Sequence, residues 1–272
     1  MIMLPTYISE GSYTLAYVQL LKKLLYEGNE KSPRGEKVKF FQNCLFNVEL
    51  PGTIFSPASR PYNVDYLNKE LSLYFSGDCS ADKFGEASKF WKKLANPDGT
   101  INSNYGYLAF YKSIQTKFGE IKNQWTYAKN QLLHDKDTRQ ALMFISSPHV
   151  QFEGNKDFIC TLNYTFSIND DWLSLAVNRR SQDMILGIVY DYAWEWLLLV
   201  KMYNELKDAY PSLKLGSYTM FCNNIHLYER NWDMAKKIVM DYDSGNYEEP
   251  KINDIVDPSI MMNFVTNKDF GN

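Results

Sequence analysis

The stretch DFICTLNYTFSINDDWLSLAVNRRSQDMILGIVYDYAW, Asp157 to Trp194, decides how the rest of the chain is read. Phe158 to Ser167 is rich in aromatic, Thr and β-branched residues, and Trp172 to Asn178 alternates in the same manner. Asn169-Asp170-Asp171 between them are turn residues, so the two runs form a hairpin with Cys160 near the start of its first strand. Arg179-Arg180-Ser181 closes the second strand and precedes a helix expected from about Asp183 to Leu206. Guanidinium groups and a hydroxyl beside the free N–H groups of a helix start would make an anion site. Taken alone, Cys160 also reads as a small buried hydrophobe and the arginines as a solvated strand end.

Working outward, 272 residues without a linker, repeat or low-complexity tract are expected to form a single domain, 1–272, with a polar tail from about residue 243. A net charge of −3, from 29 basic and 32 acidic residues, argues against a protein that holds a nucleic-acid backbone, while leaving room for a small anionic ligand. The four cysteines, at 44, 79, 160 and 222, have neither metal-ligand spacing nor disulfide density, so no metal is expected. The N-terminal MIMLPTYISE has no signal pattern, and the apolar run Trp194 to Met202 is short and interrupted by Glu195 and Lys201. It reads as a core helix, and the protein as cytoplasmic, with reduced thiols and no membrane partner. Aromatic content of 15%, with 20 tyrosines, suits an interior that holds a planar ring.

Further elements follow from periodicity and punctuation. Tyr13 to Glu27 carries leucines at helical spacing and stops at Gly28, before the polar loop GNEKSPRGEK that holds Arg34. Val38 to Leu50 is strand-like, Asn63 caps a helix that carries Glu70, and Ser80 opens another running through Trp91 to Leu94. Phe118 to His134 reads as an exposed helix leading through HDKDTRQALMF into a strand. Gly216 to Asn224 is a strand leading to His226-Leu227-Tyr228, where residues two apart on extended backbone face one side. Asn231 to Asp241 reads as a further helix.

Several of these motifs resemble the thymidylate synthase family. RRSQDMILGIVYDYAW looks like its Arg-Ser-x-Asp, x-x-Leu-Gly, x-x-Asn segment, with the nucleophilic cysteine about twenty residues upstream, where Cys160 stands. DYAW at Asp191, INSNYG at Ile101 and NKDFICT at Asn155 are most similar to the bacteriophage deoxycytidylate hydroxymethylase branch. The resemblance spans about Ser32 to Trp232. It implies an α+β fold, a mixed β-sheet packed with helices, that dimerises through the sheet. Two departures fall where the family binds folate and completes methyl transfer. Leu94 stands where synthases have a second tryptophan, and Tyr-Gly-x-Gln-Trp-Arg has become Tyr105-Gly106-Tyr107-Leu108-Ala109-Phe110.

The resemblance also implies roles. Cys160 is the nucleophile that adds to carbon 6 of a pyrimidine nucleoside monophosphate, and Glu70, in YLNKELSLYF, is the catalytic glutamate. Asp191 replaces the family asparagine that reads uracil, and a carboxylate accepts well from the amino group of cytosine. Arg34, Arg180 and Ser181 match phosphate-loop and anion-site positions, while His226 and Tyr228 match the pair at the sugar hydroxyl. Arg139 matches the first arginine of a pair that reaches the partner subunit's nucleotide in a homodimer. The second is Gln140, for which Arg179, Arg34 or a lysine would have to substitute. The co-substrate is 5,10-methylenetetrahydrofolate, with Asp183, Trp91, Tyr105 and Gly187 on the folate side. The implied reaction is hydroxymethylation of dCMP in a cytoplasm, the host's if the gene is a phage's. Thymidylate synthesis, hydroxymethylation of dUMP or CMP, and a non-catalytic nucleotide binder are the alternatives.

Overall fold

A computed structural model describes residues 5–266 of the chain. The ends of the N-terminal stretch and of the C-terminal tail, residues 1–4 and 267–272, lie outside the described residues. In chain order the elements are β1 (Thr6–Glu10), α1 (Tyr13–Glu27), β2 (Asn29–Lys31), β3 (Val38–Val48), β4 (Ser56–Pro57) and α2 (Val64–Ser76). Then come α3 (Ala81–Ala87), α4 (Lys89–Lys93), β5 (Ile114–Thr116), β6 (Gly119–Ile121), α5 (Gln124–His134), β7 (Leu142–Phe144), β8 (Thr161–Asn169) and β9 (Trp172–Arg179). The rest are β10 (Gln182–Asp183), α6 (Ile188–Leu206), β11 (Lys214–Tyr228), α7 (Trp232–Ser244), β12 (Tyr247–Glu248), α8 (Ile252–Ile255) and α9 (Pro258–Val265). The fold is α+β with a mixed sheet, as expected.

The chain divides into two compact units, each made of three separate stretches. The first, residues 1–63, 174–197 and 216–255, holds a mixed sheet in the order β1-β3-β11-β9, with β10 beside β11 and β2 beside β3. β1 runs parallel to β3, and β11 antiparallel to it, with Cys222 opposite Cys44 and His226 opposite Phe40. Helix α1 starts where the Ser12 side chain accepts from Leu15 N–H at 3.3 Å, and ends at Gly28, whose N–H donates to the Leu24 carbonyl. Its buried face brings Tyr13 onto Tyr192, ring centroids 4.0 Å apart and nearly parallel, and edge-on to Phe46. Stacked aromatic cores of this kind combine large apolar area with specific geometry.

The second unit, residues 64–173, 198–215 and 256–272, packs α2 against α3 and α9 around an aromatic chain of Phe264, Phe75, Phe110, Trp125 and Phe166. Here β7 and β8 pair antiparallel. The turn expected at Asn169-Asp170-Asp171 is present, with positive φ at Asp170 and Asp171, residues whose short polar side chains tolerate that conformation. Gly106 is required by space: a Cβ there would lie 2.1 Å from the Tyr74 carbonyl oxygen.

Three expected helices differ. The one expected from Phe118 begins at Gln124, where Asn123 caps it, because residues 114–121 form the β5–β6 hairpin around Gly119, at φ +133°. The one expected from Ser80 through Leu94 breaks at Ser88, whose backbone is extended and whose hydroxyl caps α4. The one expected from Asp183 starts at Ile188, since Gln182 and Asp183 add to β11 instead. Arg180 and Ser181 therefore do not sit at a helix start.

Candidate active site

In the first unit the parallel addition of β10 to β11 pairs Asp183 with His226 in register. The Ser181 hydroxyl lies 3.4 Å from His226 Nδ1, and the His226 ring meets Tyr228 edge-on at 5.0 Å. The alternation of an extended segment thus places His226 and Tyr228 on one side, as expected. Burial lowers the His226 pKa below its usual value, opposed by the nearby Asp183 carboxylate. Asp183 Oδ1 accepts from the N–H groups of Ile185 (2.7 Å) and Leu186 (3.0 Å), while its second oxygen has no partner among the described residues.

A second cluster surrounds Asp191, in the first turn of α6. Its Oδ2 accepts from Arg179 Nη1 and from Gln182 Nε2, both at 2.9 Å, and its side chain is 20% exposed. Oδ1 has no partner among the described residues. Gly187 makes the arrangement fit, because a Cβ there would stand 2.6 Å from Gln182 Nε2 and 3.3 Å from Asp191 Oδ2. Arg179 is fully buried and also donates through Nη2 to Glu195 Oε1. The Tyr218 hydroxyl donates to Glu195 Oε2 at 2.7 Å. Burial pushes the Glu195 pKa up to about 7; Arg179 lowers it, the Asp191 charge raises it and the Tyr218 bond lowers it. Arg179 is thus engaged by carboxylates and does not replace the missing phosphate arginine.

In the second unit Glu70 is buried on α2 and accepts at Oε1 from the Tyr66 hydroxyl at 2.8 Å. The Trp91 indole N–H in turn donates to the Tyr66 oxygen at 3.3 Å. Tyr105 is buried against Tyr74. Cys160 is half-buried immediately before β8, its thiol 3.9 Å from the Phe158 carbonyl. Asp157, three residues earlier, accepts from the N–H groups of Asn102 (2.6 Å) and Ser103 (2.8 Å), tying the INSNYG segment to the approach of Cys160. Leu108, Ala109 and Phe110, which stand in place of Gln-Trp-Arg, are buried in the core. Arg34, in the first unit, and Arg139 are exposed and have no ion pair among the described residues.

The thymidylate synthase family model matches residues 15–267, a span that includes Cys160, Glu70, His226 and Tyr228. The chain belongs to the thymidylate synthase family. It is 30% identical over 197 residues to the deoxycytidylate 5-hydroxymethyltransferase of Enterobacteria phage T4, covering 68% of this chain and 77% of that protein. The phage T2 enzyme is equally similar. The thymidylate synthase of Buchnera aphidicola subsp. Acyrthosiphon pisum (strain APS) is 25% identical over 232 residues, 82% of this chain and 83% of that one. Thymidylate synthase family enzymes bring a pyrimidine nucleotide together with methylenetetrahydrofolate.

Within this family member, Gln182, Glu195 and Tyr218 were not singled out by sequence as site residues. The signal for Arg179 was present: Leu173, Leu175, Val177 and Arg179 alternate along β9 and all face inward. Asp191 and Glu195 are one turn apart, so both lie on one face of α6. Among the described residues no group of His, Cys, Asp and Glu is placed to hold a metal, and no helix is long and apolar enough to cross a membrane.

Proposed function

We propose that this chain hydroxymethylates carbon 5 of dCMP, giving 5-hydroxymethyl-dCMP and tetrahydrofolate, and that it works as one catalytic domain, since the family match runs through both units. The observation that carries the reading is the Asp191 carboxylate, whose Oδ2 takes two protein donors while Oδ1 is left as an acceptor. The amino group of cytosine donates to such an oxygen, and a protonated ring nitrogen 3 donates beside it. Uracil would oppose its own carbonyl oxygen to the carboxylate, leaving two acceptors unpaired. The phage relatives named for deoxycytidylate support the same base.

Carbon 5 of a pyrimidine is inert until a nucleophile adds at carbon 6. The Cys160 thiolate forms that S–C6 bond, and the ring electron pair moves to carbon 5. When bound, methylenetetrahydrofolate supplies the one-carbon unit. The Asp183 oxygen that has no partner among the described residues fits a ring N–H of the pterin, and the resemblance assigns Trp91 and Tyr105 to the folate as well. Glu70 takes the proton from carbon 5 and gives it up to the nitrogen of the departing tetrahydrofolate as the bond between that nitrogen and the one-carbon unit breaks. A carboxylate again, it orients a water, whose oxygen adds to the exocyclic carbon while Glu70 takes the proton released. Electrons returning through the ring break the S–C6 bond and restore the thiolate. Leu108, Ala109 and Phe110 are buried where synthases carry Gln-Trp-Arg, and the loss of that segment, which completes methyl transfer in synthases, supports water in place of hydride as the final reactant.

Arg180, Ser181 and Arg34 hold the phosphate in this reading, joined by Arg139 from the other subunit of a homodimer, and His226 and Tyr228 hold the sugar hydroxyl. Residence in a cytoplasm, the host's for a phage gene, completes it. The test is incubation with dCMP and methylenetetrahydrofolate. Hydroxymethyl-dCMP should form without dihydrofolate absorbance, and Cys160→Ser should abolish it while folding normally. Dihydrofolate appearing one for one with product would make the chain a synthase, and an active monomer in sedimentation would remove the dimer.

A further inference from the structure

Glu195 takes no part in the chemistry above, yet it is completely buried, and a carboxyl in that position is costly. An apolar side chain of similar volume would fill the same space without an ionisable group. What distinguishes Glu195 is its connection to Asp191. Arg179, at the end of β9, forks between the two, with Nη1 on Asp191 Oδ2 and Nη2 on Glu195 Oε1. Tyr218, on β11, fixes the other Glu195 oxygen. A guanidinium held at both prongs is locked in orientation, so the Asp191 carboxylate that it grips is locked too. Gln182 completes the grip, and its own Oε1 is buried with no partner among the described residues. None of the four supports takes Asp191 Oδ1, which has no partner among the described residues.

We propose, resting on the reading of Asp191 as the group that meets the base, that Glu195 is a positioning residue for base selection, acting through Arg179 to fix the Asp191 carboxylate and its charge. With Glu195 ionised, Arg179, Asp191 and Glu195 together carry one net negative charge, and a proton on ring nitrogen 3 of cytosine is stabilised beside them. With Glu195 protonated the cluster is neutral and that stabilisation is lost. Uracil carries a hydrogen on nitrogen 3 without any added proton, so the charge of Glu195 matters less to it. The ionisable groups that face Glu195 are Arg179 from β9, Asp191 from its own helix and Tyr218 from β11.

The experiment is titration calorimetry of dCMP and dUMP against the full-length wild type, Glu195→Gln, Tyr218→Phe and Asp191→Asn, with thermal melts to check folding. Glu195→Gln should lower the cytosine-over-uracil affinity ratio about tenfold, the factor carried by one charge-assisted hydrogen bond. Tyr218→Phe should move it the same way by less. The wild-type ratio of dCMP to dUMP affinity, in which the phosphate common to both ligands cancels, should change slope near pH 7, and Glu195→Gln should lack that inflection. A purely structural role would lower stability without moving the ratio or the pH profile. If Glu195→Gln keeps both while Asp191→Asn shifts the ratio, the inference fails. Should Glu195→Gln not fold, Tyr218→Phe decides by the same criterion. A wild type that prefers uracil sinks the dCMP assignment separately, because a ratio of either sign that moves in Glu195→Gln still supports the positioning role.

Discussion

Tyr66 donates its hydroxyl to Glu70 Oε1 at 2.8 Å from one helical turn away, and Trp91 donates to the same hydroxyl oxygen at 3.3 Å. Trp91, proposed for the folate side, is thereby linked through one phenol to Glu70, the proposed acid–base residue. Glu70→Gln should bind nucleotide with near-normal affinity and lose roughly 10²- to 10⁴-fold in kcat, the range for removing a positioned general acid or base. Tyr66→Phe should lose about tenfold in kcat with little change in nucleotide KM. Steady-state kinetics with direct binding measurements decides it. A variant whose only defect is weaker nucleotide binding would make Glu70 a binding residue.

Gly106 is expected to be intolerant of any side chain. Its φ of −66° is open to alanine, so conformation is no obstacle. The obstacle is the Tyr74 backbone carbonyl, 2.1 Å from where the Cβ would stand, and backbone inside a packed helix cannot step aside as a flexible side chain can. Gly106→Ala should cost about 3 kcal/mol or more by overpacking. Urea unfolding would show it, and a variant as stable as wild type would mean that α2 and the following π-turn at Tyr107–Tyr111 separate readily.

Much of the fold was legible because its signals are local. The β8–β9 hairpin follows from alternation and an Asp-Asp turn, and α1 from its leucines, the Ser12 cap and the Gly28 stop. Helix starts were less so. Asp183 satisfies two following N–H groups with its own side chain and pairs with His226, so tertiary strand addition overrides the helical pattern that begins there. β5 and β6 are three residues each, too short to show a period. In the site, family motifs pointed to Cys160, Glu70 and Asp191, but Glu195 read as an interruption of an apolar helix. Only the packing of β9 and β11 beside it reveals that its charge has partners.

Glu195 also makes stability depend on pH. Its folded pKa of about 7 lies above the ordinary 4.5, so the folded protein keeps a proton that the unfolded chain releases. That contribution is complete below about pH 4.5 and is lost as pH rises through about 7, at up to roughly 1.4 kcal/mol per pH unit. His226 acts oppositely: its folded pKa is depressed below 6.5, so it costs stability as pH falls past that value. Comparison with Glu195→Gln isolates the first effect. Relative to wild type the variant should gain melting temperature from pH 5 to about pH 7 and level off above it, and a constant difference from pH 5 to pH 8 would mean that Glu195 does not titrate in this window.

The central claim is that Asp191 reads cytosine. It is tested by measuring kcat/KM for dCMP, CMP and dUMP side by side on the wild type and Asp191→Asn, scoring carbon-5 hydrogen release with methylenetetrahydrofolate present. The account predicts a wild type that uses dCMP over dUMP by about 10⁴-fold, the discrimination available when a wrong partner leaves buried polar groups unpaired. Asp191→Asn should move toward uracil, because an amide both accepts from nitrogen 3 and donates to the oxygen on carbon 4. A wild type that prefers dUMP, or an asparagine variant with an unchanged preference, would contradict it.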